Sequence, residues 1–234
     1  PFRTSVQRLP TDGTLHCVYI ESGNRTGERR VRMDQQFDPG NVFTAMHHRV
    51  TGELLHLMDG LYSNIEDGLF ELAYRTREDA QKRRCFDLMR EMRFQRSRVV
   101  QNFARRLQNA FDAWVSGTPV DEAANSEQAR RMAHKCSAHF SGVLQSLTER
   151  AAYALGRDMD RTSLPIGPHQ IAGHFIESMK ALEFDNQSIE IVEELFSRFV
   201  LERLGPVYGE CNQRLERAGF LTLRELDAAT VQAG

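Results

Sequence analysis

Apolar residues recur every three or four positions over most of this chain, and the pattern sets in after Asn41. That spacing follows the 3.6-residue helical period and predicts a helical protein. The first long run spans Val42 to Tyr74, with Met46, Val50, Leu54, Leu57, Leu61, Ile65, Leu69 and Leu72 as its stripe. Gly52, Gly60 and Gly68 recur every eight residues within it. They read either as points of close helix approach or as the setting for a break near Ser63–Asn64. The second run, Glu78 to Trp114, is nearly a heptad seam through Cys85, Met89, Met92, Arg96, Val99, Phe103, Leu107, Ala110 and Trp114. Such a helix is roughly 55 Å long. Arg96 interrupts the stripe, as a snorkelling arginine paired with an acidic neighbour does.

Ser116-Gly117-Thr118-Pro119 stops that helix, and 117–125 reads as a loop. A third helix is expected from about Ser126 to Leu155, closed by Gly156 as C-cap. After a linker over 157–166, Pro168 sits at a first helical position ahead of Ile171, Phe175, Met179 and Leu182. Asp185 or Asn186 caps the next helix, through Ile189, Val192, Phe196 and Val200. Gly205-Pro206 forces a kink or a fresh start, because Pro206 cannot donate to residue 202. Val207 to Arg217 continues to Gly219, and Thr222-Leu-Arg-Glu225 reads as a capping box for a last helix.

Residues 1–40 lack this periodicity. Thr14–Ile20 and Arg29–Met33 carry strand-like composition around Ser22-Gly23-Asn24 and Gly27, so this arm reads as a short β-hairpin or as an irregular extension. The fold class is therefore all-α, a multi-helix bundle of five to seven helices with one long helix and a small N-terminal arm. The domain division is an arm over 1–40 and a helical domain over 41–234, with a sub-division near 157–167.

The chain has 234 residues, 41% hydrophobic and 26% charged, the ordinary globular mix. Mean hydropathy is −0.49, and no apolar run reaches the roughly 18 residues a membrane span needs. The four cysteines are widely spaced without a Cys-x-x-Cys, which places the chain in a reducing cytoplasm. It starts at Pro1 and reads as a piece of a longer protein.

Net charge is only −2, but its distribution is uneven. Arg75 to Arg106 holds eleven basic residues against four acidic, whereas Glu177 to Glu210 holds eight acidic against three basic. A basic helix binds phosphates through counterion release. The binding candidates on it are Arg83, Arg84, Arg90, Arg93, Arg98 and Arg105. The blander reading pairs this face with an acidic one, of which Glu190, Glu193 and Glu194 are the candidates. No metal site is expected. Glu53-Leu-Leu-His56 is a single Glu-x-x-His where di-iron bundles need two, and Cys136 with His139 supplies only two ligands on one helical face. No nucleophile elbow, P-loop or dinucleotide fingerprint occurs, so neither catalytic residues nor a cofactor is assigned.

Two stretches resemble a known family. Leu54 to Gln95 contains Asp67, Leu69-Phe70-Glu71-Leu72-Ala73, Phe86-Asp87 and Met89-Arg90. Leu164 to Leu221 contains Leu164-x-x-x-Pro168, Leu195-Phe196, Leu204-Gly205-Pro206-x-Tyr208-x-x-x-Asn212 and Ala218-Gly219. Both are similar to a large proteobacterial family of unknown function whose members often carry the label thymidine phosphorylase. The resemblance implies an N-terminal piece of a long, helical, cytoplasmic bacterial protein, with some relatives linked to cyclic-dinucleotide domains. It supplies no reaction, and the glycine-rich phosphate-binding segment a phosphorylase needs is not found.

The functional expectation is a non-enzymatic interaction or regulatory module that binds a protein partner or a second copy of itself. The alternative is nucleic-acid or cyclic-dinucleotide binding through the basic face over 79–115.

Overall fold

The computed structural model describes residues 3–8, 15–20, 39–118, 126–182 and 184–220, the first two segments and residue 39 as backbone alone. Among these residues there are seven α-helices: α1 (Pro39–Arg75), α2 (Asp79–Ser116), α3 (Glu127–His139), α4 (Ser141–Leu155), α5 (Pro168–Met179), α6 (Asn186–Phe199) and α7 (Gly205–Arg217). Two 3-10 turns, Arg161–Ser163 and Leu201–Arg203, lie in the connections. The all-α expectation holds. In the arm, β1 (Arg3–Arg8) pairs antiparallel with β2 (Leu15–Ile20), Val6 opposite Cys17. The strand expected at Thr14–Ile20 is present, but its mate lies upstream; Arg29–Met33 falls outside the described residues, as does the capping box at Thr222.

α1 and α2 form a long antiparallel hairpin joined by three residues. α5, α6 and α7 cover one side of it, and α3 and α4 lie beyond them, α3 against α5 and α4 against α7. This makes three layers. The middle layer must be apolar on all sides. α5 meets that requirement, since nearly every residue from Pro168 to Met179 is buried. Phe175 of α5 stacks on Phe196 of α6 at 3.8 Å, and at the far end of the hairpin Phe43 meets the edge of Trp114 at 5.1 Å. One continuous core runs from Phe43 to Phe220.

The predicted stripe of α2 is buried at Cys85, Met92, Val99, Phe103, Leu107, Ala110 and Trp114, with Leu88 in place of Met89. Arg96 leans over the Tyr62 ring at 5.4 Å and donates to Asp59 at 2.8 Å, the expected snorkelling geometry. α1 runs unbroken through Ser63 and Asn64, whose side chains donate back to the carbonyls of Asp59 and Gly60. Gly117 ends α2 at φ 76°, a conformation glycine adopts without steric cost. The Arg157 side chain lies against Gly117 and donates to the Trp114 carbonyl, placing a cation at the negative end of α2.

The helix expected over Ser126–Leu155 is two helices. Phe140 leaves helical geometry (φ −94°, ψ 13°) between α3 and α4. Its ring packs on Tyr208 at 5.3 Å and over Gly205, where a Cβ would lie 3.2 Å from its Cε1. The bend lets α3 follow α5 while α4 follows α7. Likewise α6 ends at Phe199, ahead of the Gly205-Pro206 pair that starts α7. Among the described residues no helix is long and apolar enough to cross a membrane.

Candidate interaction surface

Six of the predicted side chains project from α2, whose inner face is fixed by the core stripe. Their surroundings differ. Arg93 reaches back to α1, donating Nε to Glu66 at 2.8 Å. That bond holds the Glu66 carboxyl below its ordinary pKa. Arg84 reaches forward to Asp185 at 3.0 Å and to Gln187. Asp185 is also the N-cap of α6, accepting from the Ser188 backbone at 2.7 Å, and this bond first of all lowers its pKa. Arg90 makes only a local contact with Asp87 at 3.3 Å, and Arg105 donates to Asn102 at 2.9 Å. Arg83 and Arg98 are exposed, with no carboxylate partner among the described residues.

The basic helix is therefore partly neutralised, but by other acids than the sequence suggests. Its partners are Glu66 and Asp59 of α1, Asp185, and Glu177 of α5, which lies 3.7 Å from Arg106. Glu190, Glu193 and Glu194 do not meet it. Glu193 accepts from Gln128 of α3, while Glu190 and Glu194 are exposed. The reason is layer order: α2 borders α5 and the start of α6, and the rest of α6 turns toward α1 and α3.

Between α2 and the α5–α6 connection lies an open groove of about 780 Å³. Arg83, Arg84 and Arg90 line it, and so do Asp87, Glu91 and Asp185, over a floor that includes Leu88, Leu182 and Phe184. The two signs balance, so the groove has mixed polarity. Among the described residues no group of three His, Cys, Asp or Glu side chains is placed to hold a metal ion. Glu53 pairs with Arg49 at 2.9 Å, and burial pushes the Cys136 thiol up. Burial pushes Cys211 up to about 12.

Exposed aromatic residues are the feature that the periodicity did not reveal. Among the described residues five large apolar side chains are exposed, all on the hairpin, and four of them are aromatic: Phe70 at 57%, Tyr74 at 83%, Phe86 at 50% and Phe94 at 80%. Phe70 and Phe86 touch edge to face at 6.5 Å, one from each helix. Tyr74 follows Phe70 by one turn of α1. Arg90 stands between Phe86 and Phe94, and Arg98 follows at the same four-residue step, so they share a side of α2. A signal was present in the sequence, because these aromatics fall off the core stripe.

The residues that carry the resemblance serve packing. Pro168 opens α5, Pro206 opens α7, and Gly205 seats the Phe140 ring. The buried Tyr208 hydroxyl donates to the Ile166 carbonyl at 2.9 Å. Asn212 donates to the carbonyls of Val143 and Tyr208 and accepts from the buried Arg150 at 2.5 Å, fastening α4 to α7.

No curated protein and no solved structure matches the chain. It does match the family described as "Protein of unknown function (DUF1631) N-terminal domain", over residues 38–130 and 126–219, which together take in all seven helices and the loops between them. This chain therefore belongs to that family.

Proposed function

We propose that this domain is a non-enzymatic interaction module of a longer cytoplasmic protein, acting through the outer face of the α1–α2 hairpin. The observation that carries this reading is the group of four exposed aromatics beside Arg83 and Arg98, which have no carboxylate partner among the described residues. Isolated exposed apolar residues are ordinary, but a group of this size on one face marks a contact surface. Tyr, Phe and Arg are the residue types enriched where proteins meet. The three described cysteines are buried free thiols, which suits the reducing cytoplasm.

The test is a photo-crosslinking amino acid in the full-length protein within its own cells. At position 94 the account predicts a discrete crosslinked species, lost when Phe70 and Phe86 are both changed to serine. At position 145, on exposed α4, none is expected. Equal yields at both positions, or none at 94, would contradict it.

A second reading is supported by the stretch from Met92 to Phe111, which contains five arginines and no carboxylate. Nucleic acid bound there would lose affinity steeply with salt. Asp67 and Glu71 flank the aromatic group and repel phosphate, which ranks a protein partner first. Salt-sensitive binding of single-stranded RNA, abolished by Arg98→Glu with Arg105→Glu, would reverse that ranking.

A further inference from the structure

We infer that the outer face of the hairpin binds a second copy of the same chain, a conclusion that rests on the interaction-module reading above. The layout of charge around the aromatics points to this partner. α1 presents Asp67, and Glu71 in an ion pair with Arg75, beside Phe70 and Tyr74; α2 presents Arg83, and Arg90 with its neighbour Asp87, beside Phe86. One half of the face is net acidic and the other net basic, with the apolar group between them. A face that carries both halves of a complementary pattern is what a two-fold interface requires, because each patch must fit its own copy.

The register follows from the intrachain contacts. Phe70 lies level with Phe86 and Glu66 with Arg93, so Asp67 lies level with Arg90, and Tyr74 near Arg83. A two-fold axis lying in the interface and parallel to the helices sets α1 of one copy over α2 of the other at the same level. Phe70 then meets the second copy's Phe86, Asp67 meets its Arg90, and Tyr74 offers its ring to its Arg83, a cation–π arrangement. Asp67 and Arg83 have no ion-pair partner among the described residues, and Arg90 has only the local contact with Asp87 at 3.3 Å, so pairing breaks no other contact between helices.

The area is adequate. At roughly 200 Å² per aromatic side chain, the four exposures leave about 500 Å² of aromatic surface per copy. A standard interface covers about 800 Å² per partner, and the flanking charged and polar side chains supply the rest.

Sedimentation of the chain across a concentration series tests this. The expected species is a dimer of twice 26.8 kDa. Asp67→Arg and Arg90→Asp each place two like-charge pairs across the interface and should each weaken the dimer by about tenfold or more. Mixed in equal amounts, the two variants should form a heterodimer of restored affinity, because both contacts again join opposite charges. Phe86→Ser should weaken it by about thirtyfold. All these positions are exposed, so unchanged circular dichroism and melting temperature are expected to confirm folding. A monomer at concentrations up to about 100 μM, or single variants that weaken the dimer without rescue in the mixture, would overturn the inference. If the chain is monomeric while position 94 still crosslinks another protein, the second copy is excluded and the module reading stands; if position 94 captures nothing, both fall.

Discussion

At the scale of single residues, the buried polar groups fix how the layers meet. Arg150 is 2% exposed, and its guanidinium binds Asn212, with Glu216 at 3.8 Å. Asn212→Ala removes an acceptor from a buried cation and two donors from backbone carbonyls. It should cost about 1.5–3 kcal/mol by chemical denaturation, while Gln213→Ala on the exposed side of the same helix should be nearly neutral. His47 is a second case. It is buried against the Phe111 ring at 4.8 Å, and Thr51 Oγ lies 3.1 Å from its Nε2. Burial lowers its pKa, the charge of His48 lowers it further, and Asp112 opposes both. The unfolded chain therefore binds this proton more readily, and stability falls as pH drops below the ordinary imidazole value of 6.5. Melting temperatures from pH 8 to 5 should show that decline in the native protein and a shallower one in His47→Gln; identical profiles would contradict the assignment. Neither role was legible beforehand. A periodic stripe shows that position 212 faces inward, but not that an arginine from α4 arrives beside it.

At the scale of elements, the sequence was most informative where one helix dominates its own packing. The extents of α1 and α2, the Gly156 cap, Pro168 at the start of α5 and Asp185 as N-cap follow from local periodicity and capping chemistry. The division at Phe140 does not, since it depends on Gly205 and Tyr208 arriving from α7. The glycines of α1 show the same distinction. A Cβ at Gly68 would lie 3.4 Å from the Leu195 side chain of α6, whereas one at Gly52 or Gly60 meets nothing within 4 Å. Close helix approach therefore does not explain those two. Gly52→Ala and Gly60→Ala should each stabilise by about 0.5–1 kcal/mol, a rise of roughly 1–4 °C in a domain of this size. Gly205→Ala should lower the melting temperature, because the Phe140 ring must move. If Gly60→Ala were destabilising instead, that face of α1 would be covered in solution.

At the scale of the whole molecule, the three layers account for the surface. The middle layer takes most of the apolar surface, α3 and α4 cap one side, and the hairpin forms the other with an outward face that nothing among the described residues covers. An outer-layer helix ordinarily presents polar residues to water. Here that face presents Phe70, Tyr74, Phe86 and Phe94 among charges of both signs. Charge counting along the sequence located the basic half of this surface. It missed the aromatic half, because exposure depends on which layer a helix occupies. Under the proposed function a protein partner covers this face. Hydroxyl-radical footprinting of the full-length protein, isolated intact from its own cells, measures that directly. The account predicts that Tyr74 and Phe94, 83% and 80% exposed in the single chain, are oxidised far more slowly than that exposure dictates, and that dissociation by dilution restores the rate. Oxidation at the full rate of freely exposed aromatic rings, unchanged on dilution, would contradict it.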